Sequence, residues 1–244
     1  MTPVDAGRRQ LLGWGAAALA GIAMAPGVTL LEVAAAKAPT EGASDKVRWG
    51  LLIDINRCAT GCTDCVAACI RENRLPATKR ETDAQWIRKI ELKEPKSGRT
   101  RSLPMMCQHC ARAPCVDVCP TGASFKRADG IVLVDRHICI GCRYCMMACP
   151  YKARSFAHEP IQDQNPEVPR GKGTVEGCTL CVHRVDRGRE PACVEACAAA
   201  GHDAMLFGDL NDPGSEIARR IAAYPTTQVR ADLRLDPGVR YQGL

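Results

Sequence analysis

Sixteen of the 244 residues are cysteines, and every one falls in one of four short groups. The first is "CATGCTDCVAAC", Cys58-x3-Cys62-x2-Cys65-x3-Cys69. The second is Cys107-x2-Cys110-x4-Cys115-x3-Cys119. The third is Cys139-x2-Cys142-x2-Cys145-x3-Cys149, followed by Pro150. The fourth is Cys178-x2-Cys181-x11-Cys193-x3-Cys197. Thiols at this density close disulfides, hold zinc or wrap iron–sulfur clusters, and that choice dictates the core. Aromatic residues make up only 4% of the chain, so something other than large rings must fill the interior.

The third group has the full bacterial ferredoxin spacing C-x2-C-x2-C-x3-C-P. Three closely spaced thiolates wrap a tight loop around three corners of a cubane, and Gly141 permits the turn. The x3 spacing then starts a helix that carries the fourth cysteine to the other cluster of a pair. Zinc sites more often use two separated C-x2-C knuckles around one tetrahedral ion. Three cysteines within seven residues suit a cubane better.

By the same rule the groups exchange their fourth ligands. Cys107, Cys110 and Cys115 are expected to take Cys149, and Cys139, Cys142 and Cys145 to take Cys119. The outer groups then pair: Cys58, Cys62 and Cys65 with Cys197, and Cys178, Cys181 and Cys193 with Cys69. The expected fold class is α+β, two nested bacterial-ferredoxin-like units with short β-hairpins and long loops, organised around iron–sulfur clusters. The first group has Ala59, Thr60 and Gly61 where two residues are usual. Gly61 can absorb the extra residue by adopting positive φ. The expected cofactors are four [4Fe–4S] clusters, or three if this motif is not a cubane site.

The N-terminus reads as a targeting signal. Arg8 and Arg9 precede an uncharged run from Leu11 to Leu31, rich in Ala and Gly and interrupted by Pro26, and Ala34–Ala36 satisfies the small-residue rule for cleavage. Paired arginines before a mildly apolar stretch indicate a Tat signal. That route exports folded proteins, so a cofactor can be assembled in the reducing cytoplasm first. A Sec route would deliver clustered thiols unfolded into an oxidising space.

The expected organisation is therefore a signal over 1–36, the first motif and a basic hairpin over 37–106, and an inner ferredoxin-like unit over 107–160. A loop with the fourth motif follows over 161–210, then a C-terminal helix and tail over 211–244. Hairpins are predicted in "QWIRKIEL…KSGRTRSLPMM", turning at Ser97-Gly98, and in "GASFKRADGIVLVD", turning at Asp129-Gly130. "DAMLFGDL" predicts a closing strand and "GSEIARRIAAY" a helix capped by Ser215. "AHEPIQDQNPEVPRGKG" predicts a surface loop. "DPGVRYQGL" shows no regular local structure and is expected to lie extended on the body or on a partner.

The net charge is +6, most of it in the stretch from Arg71 to Arg101, which is either a solvated hairpin or a docking surface for an acidic redox partner or anionic lipid. His109 and His183 lie beside cysteines, but sixteen thiols already supply sixteen corners, so hydrogen bonding or packing is expected of them. No Ser/His/Asp or Cys/His arrangement and no phosphate-binding glycine loop stands out, so no catalytic residue is expected. Scarce aromatics and export argue against nucleic acid as a partner.

From Trp49 to Asp212 these motifs, in this order, resemble the exported four-cluster subunits that pair with quinone-interacting membrane proteins. "CPTGASFKRADGIVLVDRHICIGCRYCMMACPYKARSF" and "CTLCVHRVDRGREPACVEAC" with "LFGDLNDPGSE" are similar to the DsrO family, the iron–sulfur subunit of the DsrMKJOP complex. That resemblance implies a non-catalytic periplasmic relay. Its implied partners are a polytopic quinone-interacting membrane subunit and a multihaem cytochrome c subunit in a sulfur-metabolism complex. The competing reading is the relay subunit of another quinone-linked reductase, for nitrite, polysulfide or tetrathionate.

Overall fold

The computed structural model describes residues 42–77 and 80–244; the leader expected over residues 1–36 lies outside them. In chain order the strands are β1 (Trp49–Asp54), β2 (Ile87–Lys93), β3 (Thr100–Met106), β4 (Ser124–Lys126) and β5 (Val132–Val134). They continue with β6 (Ser155–Phe156), β7 (Val175–Glu176), β8 (Met205–Asp209), β9 (Thr226–Thr227) and β10 (Val239–Gln242). The helices are α1 (Asp64–Asn73), α2 (Pro114–Asp117), α3 (Tyr144–Ala148), α4 (Val182–Val185), α5 (Ala192–Ala199) and α6 (Glu216–Ala223). Helices and small sheets mix throughout, and four of the helices, α1, α2, α3 and α5, carry one or two cysteines each.

The run "WGLLID" forms β1, with Leu51, Leu52 and Ile53 almost wholly buried. A strand buried on successive residues needs cover on both faces. It lies inside a four-stranded sheet of order β8-β1-β10-β9. It pairs antiparallel with β8, as expected of the "DAMLFGDL" segment, and parallel with β10. The tail lies extended on the body, one of its two expected placements, and there it forms a regular strand, β10, which its local sequence did not announce. "VRYQ" alternates in and out, Val239 and Tyr241 facing the core at 1% and 0% exposure. Strand identity here comes from the neighbour, since β1 supplies the pairing edge some 190 residues upstream and no local signal records it.

Both predicted hairpins form. Strands β2 and β3 pair antiparallel from Ile87↔Met106 to Lys93↔Thr100, and Gly98 takes φ +71° in the turn. Strands β4 and β5 pair antiparallel around Gly130 at φ +86°. The Ser215 hydroxyl accepts from the Ala218 N–H at 3.2 Å and caps α6. The Pro-rich stretch between β6 and β7 has no helix or strand, as expected. It is anchored from within, because Arg170 makes a buried ion pair with Glu176 at 2.6 Å and the Trp86 indole also donates to Glu176.

No helix among the described residues is long and apolar enough to cross a membrane.

Candidate metal centres

Helix α1 carries Cys65 and Cys69 and α5 carries Cys193 and Cys197, each pair at i, i+4 on one face. The two helices pack against each other, and each sends one cysteine to each of two cavities. The first cavity is lined by Cys58, Cys62, Cys65 and Cys197. The second is lined by Cys69, Cys178, Cys181 and Cys193. Helices α2 and α3 pack in the same way. A third cavity is lined by Cys119, Cys139, Cys142 and Cys145. Cys115 and Cys149 lie close enough to Cys107 and Cys110 to add to the effect of burial, and together they push both thiols up to about 12. Three cavities thus gather four cysteines each, Cys107, Cys110, Cys115 and Cys149 lie near one another, and all sixteen are free of disulfides.

Burial dominates the electrostatics. It raises Cys65 to about 11 and drives Cys69, Cys178 and Cys193 well above the ordinary thiol range. Bare thiols of this kind stay protonated at neutral pH, whereas coordination to a metal deprotonates them outright. Four clustered, soft, unbridged sulfurs per site are the donor set a cubane needs at its four corners. N–H groups already point at several of them. Ser124 donates to Cys119 Sγ at 3.3 Å, Leu180 to Cys178 at 3.4 Å, and Ala153 and Val175 to Cys149 and Cys139, each at 3.5 Å.

The long first loop is accommodated by its glycine. Gly61 takes φ +80°, and a Cβ there would meet nothing within 4 Å. The loop is also tied from outside: Lys89 Nζ donates to the Ala59 carbonyl at 2.8 Å and to that of Cys62. Asp64 and His202 stand beside Cys62, the ligand atoms of all three lying within 4.8 Å of one another. Gly141 has the opposite surroundings, since a Cβ there would come within 2.2 Å of the Gly173 carbonyl oxygen.

The histidines behave as expected. His109 Nδ1 accepts from the Val132 N–H at 3.0 Å, and burial, reinforced by Arg154 and Arg48, lowers its pKa to about 3. His183 Nε2 pairs with Glu72 at 2.7 Å. The sequence reading missed Lys89 and Arg154, whose Nη2 donates to Cys115 Sγ at 3.1 Å. Neither has a spacing that ties it to a cysteine, and a basic residue in a hairpin or after a motif reads as surface.

A 4Fe-4S dicluster domain model matches residues 99–210, and a second matches residues 57–123. An iron–sulfur subunit of an Hdr-like menaquinol oxidoreductase from Archaeoglobus fulgidus is 42% identical, over 97% of this chain and 98% of that protein. The chain belongs to the iron–sulfur electron-transfer subunits of oxidoreductase complexes. Other members include the iron–sulfur subunit of a putative dimethyl sulfoxide reductase from Halobacterium salinarum, 40% identical over 79% of this chain and 78% of that one. A tetrathionate reductase subunit from Salmonella typhimurium is 40% identical over 79% of this chain and 72% of its own length. As an iron–sulfur subunit of this family the chain is a non-catalytic relay, and it holds four [4Fe–4S] clusters.

A separate cleft of about 660 Å³ is lined by Arg74, Arg80, Glu159 and Arg170 among others, and by no cysteine. Three of its cations are paired, Arg74 with Asp163, Arg80 with Glu159 and Arg170 with Glu176, and Arg71 lines it as well.

Proposed function

We propose that the chain passes electrons between a quinone-interacting membrane subunit and a periplasmic haem c subunit, in a complex of sulfur metabolism, after export by the Tat route. The ligand sets would be the four groups of cysteines that share a site, with the unit at residues 107–160 nested inside the outer one. Each bound cluster supplies a one-electron couple; the protein supplies the order and the insulation.

One observation carries the reading: the four sites form a line. Helices α2 and α3 pack together between the Cys139 and Cys107 sites, Cys107 and Cys178 line one small cavity, and α1 and α5 pack together between the Cys178 and Cys58 sites. The order is thus the Cys139 site, the Cys107 site, the Cys178 site and the Cys58 site. Both ends approach the surface. Cys142 is exposed at one end, and Cys58 and Cys62 are half-buried at the other; of the two sites between them, Cys107 and Cys178 are half-buried and the other six cysteines are buried. A relay between two partners needs two such ends. The near-complete mutual coverage with a protein named for menaquinol oxidation favours the quinone link.

The similarity to the tetrathionate reductase protein supports a second reading, in which the partner at one end is a reductase for such a substrate.

The test is to add a reduced menaquinol analogue to the membrane-purified complex after counting its iron. About 16 iron and 16 sulfide per chain, with bleaching of the clusters followed by haem reduction, is the expected result. Full iron with no bleaching rejects the quinone link.

A further inference from the structure

Arg154 lies five residues after the last cysteine of the third group, Cys149. Its Nη2 donates to Cys115 Sγ at 3.1 Å and to Ser124 Oγ at 2.9 Å. The Ser124 N–H in turn donates to Cys119 Sγ at 3.3 Å. One guanidinium is therefore tied directly to the Cys107 site and, through Ser124, to the Cys139 site. It also lines a small cavity with Cys107 and Cys178, where the inner pair of sites meets the outer pair.

Its surroundings are unlike those of the other buried arginines. Arg170 has Glu176, and Arg184 has Glu72 and Glu195. Arg154 is nine-tenths buried, its Nη1 has no hydrogen-bond partner, and no carboxylate among the described residues pairs with it. Burying a cation away from water is costly unless an anion compensates. The groups that it reaches are instead cysteine sulfurs, Cys115 by a direct hydrogen bond and Cys119 through Ser124. These belong to two different sites.

We propose that Arg154 is the shared counter-charge of the clusters at the Cys107 and Cys139 sites, and that it raises both of their reduction potentials relative to the Cys58 site. This rests on the ligand sets proposed above. A cluster with its four thiolates is net negative and becomes more so on reduction. A fixed positive charge nearby therefore favours the reduced form of each. A hydrogen bond to a ligand sulfur acts in the same direction. At an effective dielectric constant of about 20 and a separation of roughly 8–10 Å, one unit charge shifts a one-electron equilibrium by about tenfold or more. Because one residue acts on both of these sites, their potentials rise together.

The full chain carrying its clusters would be titrated by EPR-monitored redox potentiometry, with iron counted first. Arg154→Met is expected to lower two of the four reduction equilibria by about tenfold or more each, roughly 59 mV for a one-electron couple. The cluster at Cys178 should move less, and the one at Cys58 not at all. Arg154→Gln keeps an N–H donor without the charge and supplies the reading if the methionine variant loses iron; two equilibria should fall in it as well. A variant with full iron and four unchanged potentials overturns the proposal, as does one in which all four fall equally. An iron count in the parent protein well below 16 would instead strike the ligand sets, before Arg154 is touched.

Discussion

Lys89, in the middle of β2, donates from Nζ to the carbonyl oxygen of Ala59 at 2.8 Å. Strand β2 lies beyond α1 in the chain, so the bond spans the entire helix. It also brings an ammonium group to the cavity lined by Cys58, Cys62, Cys65 and Cys197. The extra residue of the first motif is therefore held by two devices, the positive φ of Gly61 and the cation that gathers the loop's carbonyls.

Lys89→Met should lower one reduction potential, that of the cluster proposed at Cys58, by roughly 60 mV or more, a tenfold change for one electron. Potentiometry of this variant beside Arg154→Met should show non-overlapping sets of shifted signals. A shift of the same signals in both would mean that neither charge acts locally.

Two glycines in comparable loops should respond differently to alanine. Gly61→Ala meets no neighbour, so its cost is backbone strain alone, about 1–2 kcal/mol. Gly141→Ala drives a Cβ to 2.2 Å from the Gly173 carbonyl oxygen and 3.2 Å from the Phe156 ring. The loop holding Cys139 and Cys142 must then move. Iron analysis should find Gly61→Ala fully loaded and Gly141→Ala short of one cluster.

Deleting residues 237–244 removes β10 and exposes the parallel edge of β1. Losing the buried Val239 and Tyr241 side chains should cost about 3–6 kcal/mol. Tyr241→Phe isolates the polar part: its hydroxyl donates to the Pro104 carbonyl at 3.1 Å and accepts from Gln108 Nε2 at 3.2 Å. That variant should lose about 1–2 kcal/mol. Denaturant midpoints distinguish the two.

Glu72 joins α1 to α4 by accepting from Arg184 Nη1 at 2.9 Å and pairing with His183 Nε2 at 2.7 Å. Burial alone would raise its carboxyl, but His183 and Arg184 together hold it below the usual carboxylate range. A carboxyl depressed by folding contributes stability above its unfolded pKa, near 4.3, and loses it as pH falls through the folded value. Glu72→Gln should therefore be less stable than the parent near neutral pH. The gap in thermal midpoint should narrow as pH falls below about 4.3. A gap independent of pH would show that the carboxylate charge is not what joins the helices.

Much of this molecule was legible from local pattern. The C-x2-C spacings and the x3 step onto a helix act over a few residues, so the four groups could be read as cluster motifs from the sequence. The two hairpins and the Ser215 cap are likewise written in neighbouring residues: Ser97-Gly98, Asp129-Gly130, and a serine immediately before a helical run. Even the anomaly of the first motif pointed to Gly61.

Tertiary structure decided what depends on distant segments meeting. Strand β10 exists because β1 offers an edge, and β1 is central because β8 and β10 cover its two sides. Lys89 and Arg154 look in the sequence like any surface base; only the close packing of β2 against the first loop and of Arg154 against Ser124 turns their charges inward. Short-range spacing determines which sulfurs gather, because a loop of a few residues can wrap one cluster by itself. The field those sulfurs experience comes from charges tens of residues away, and only the folded chain brings them within a few ångströms.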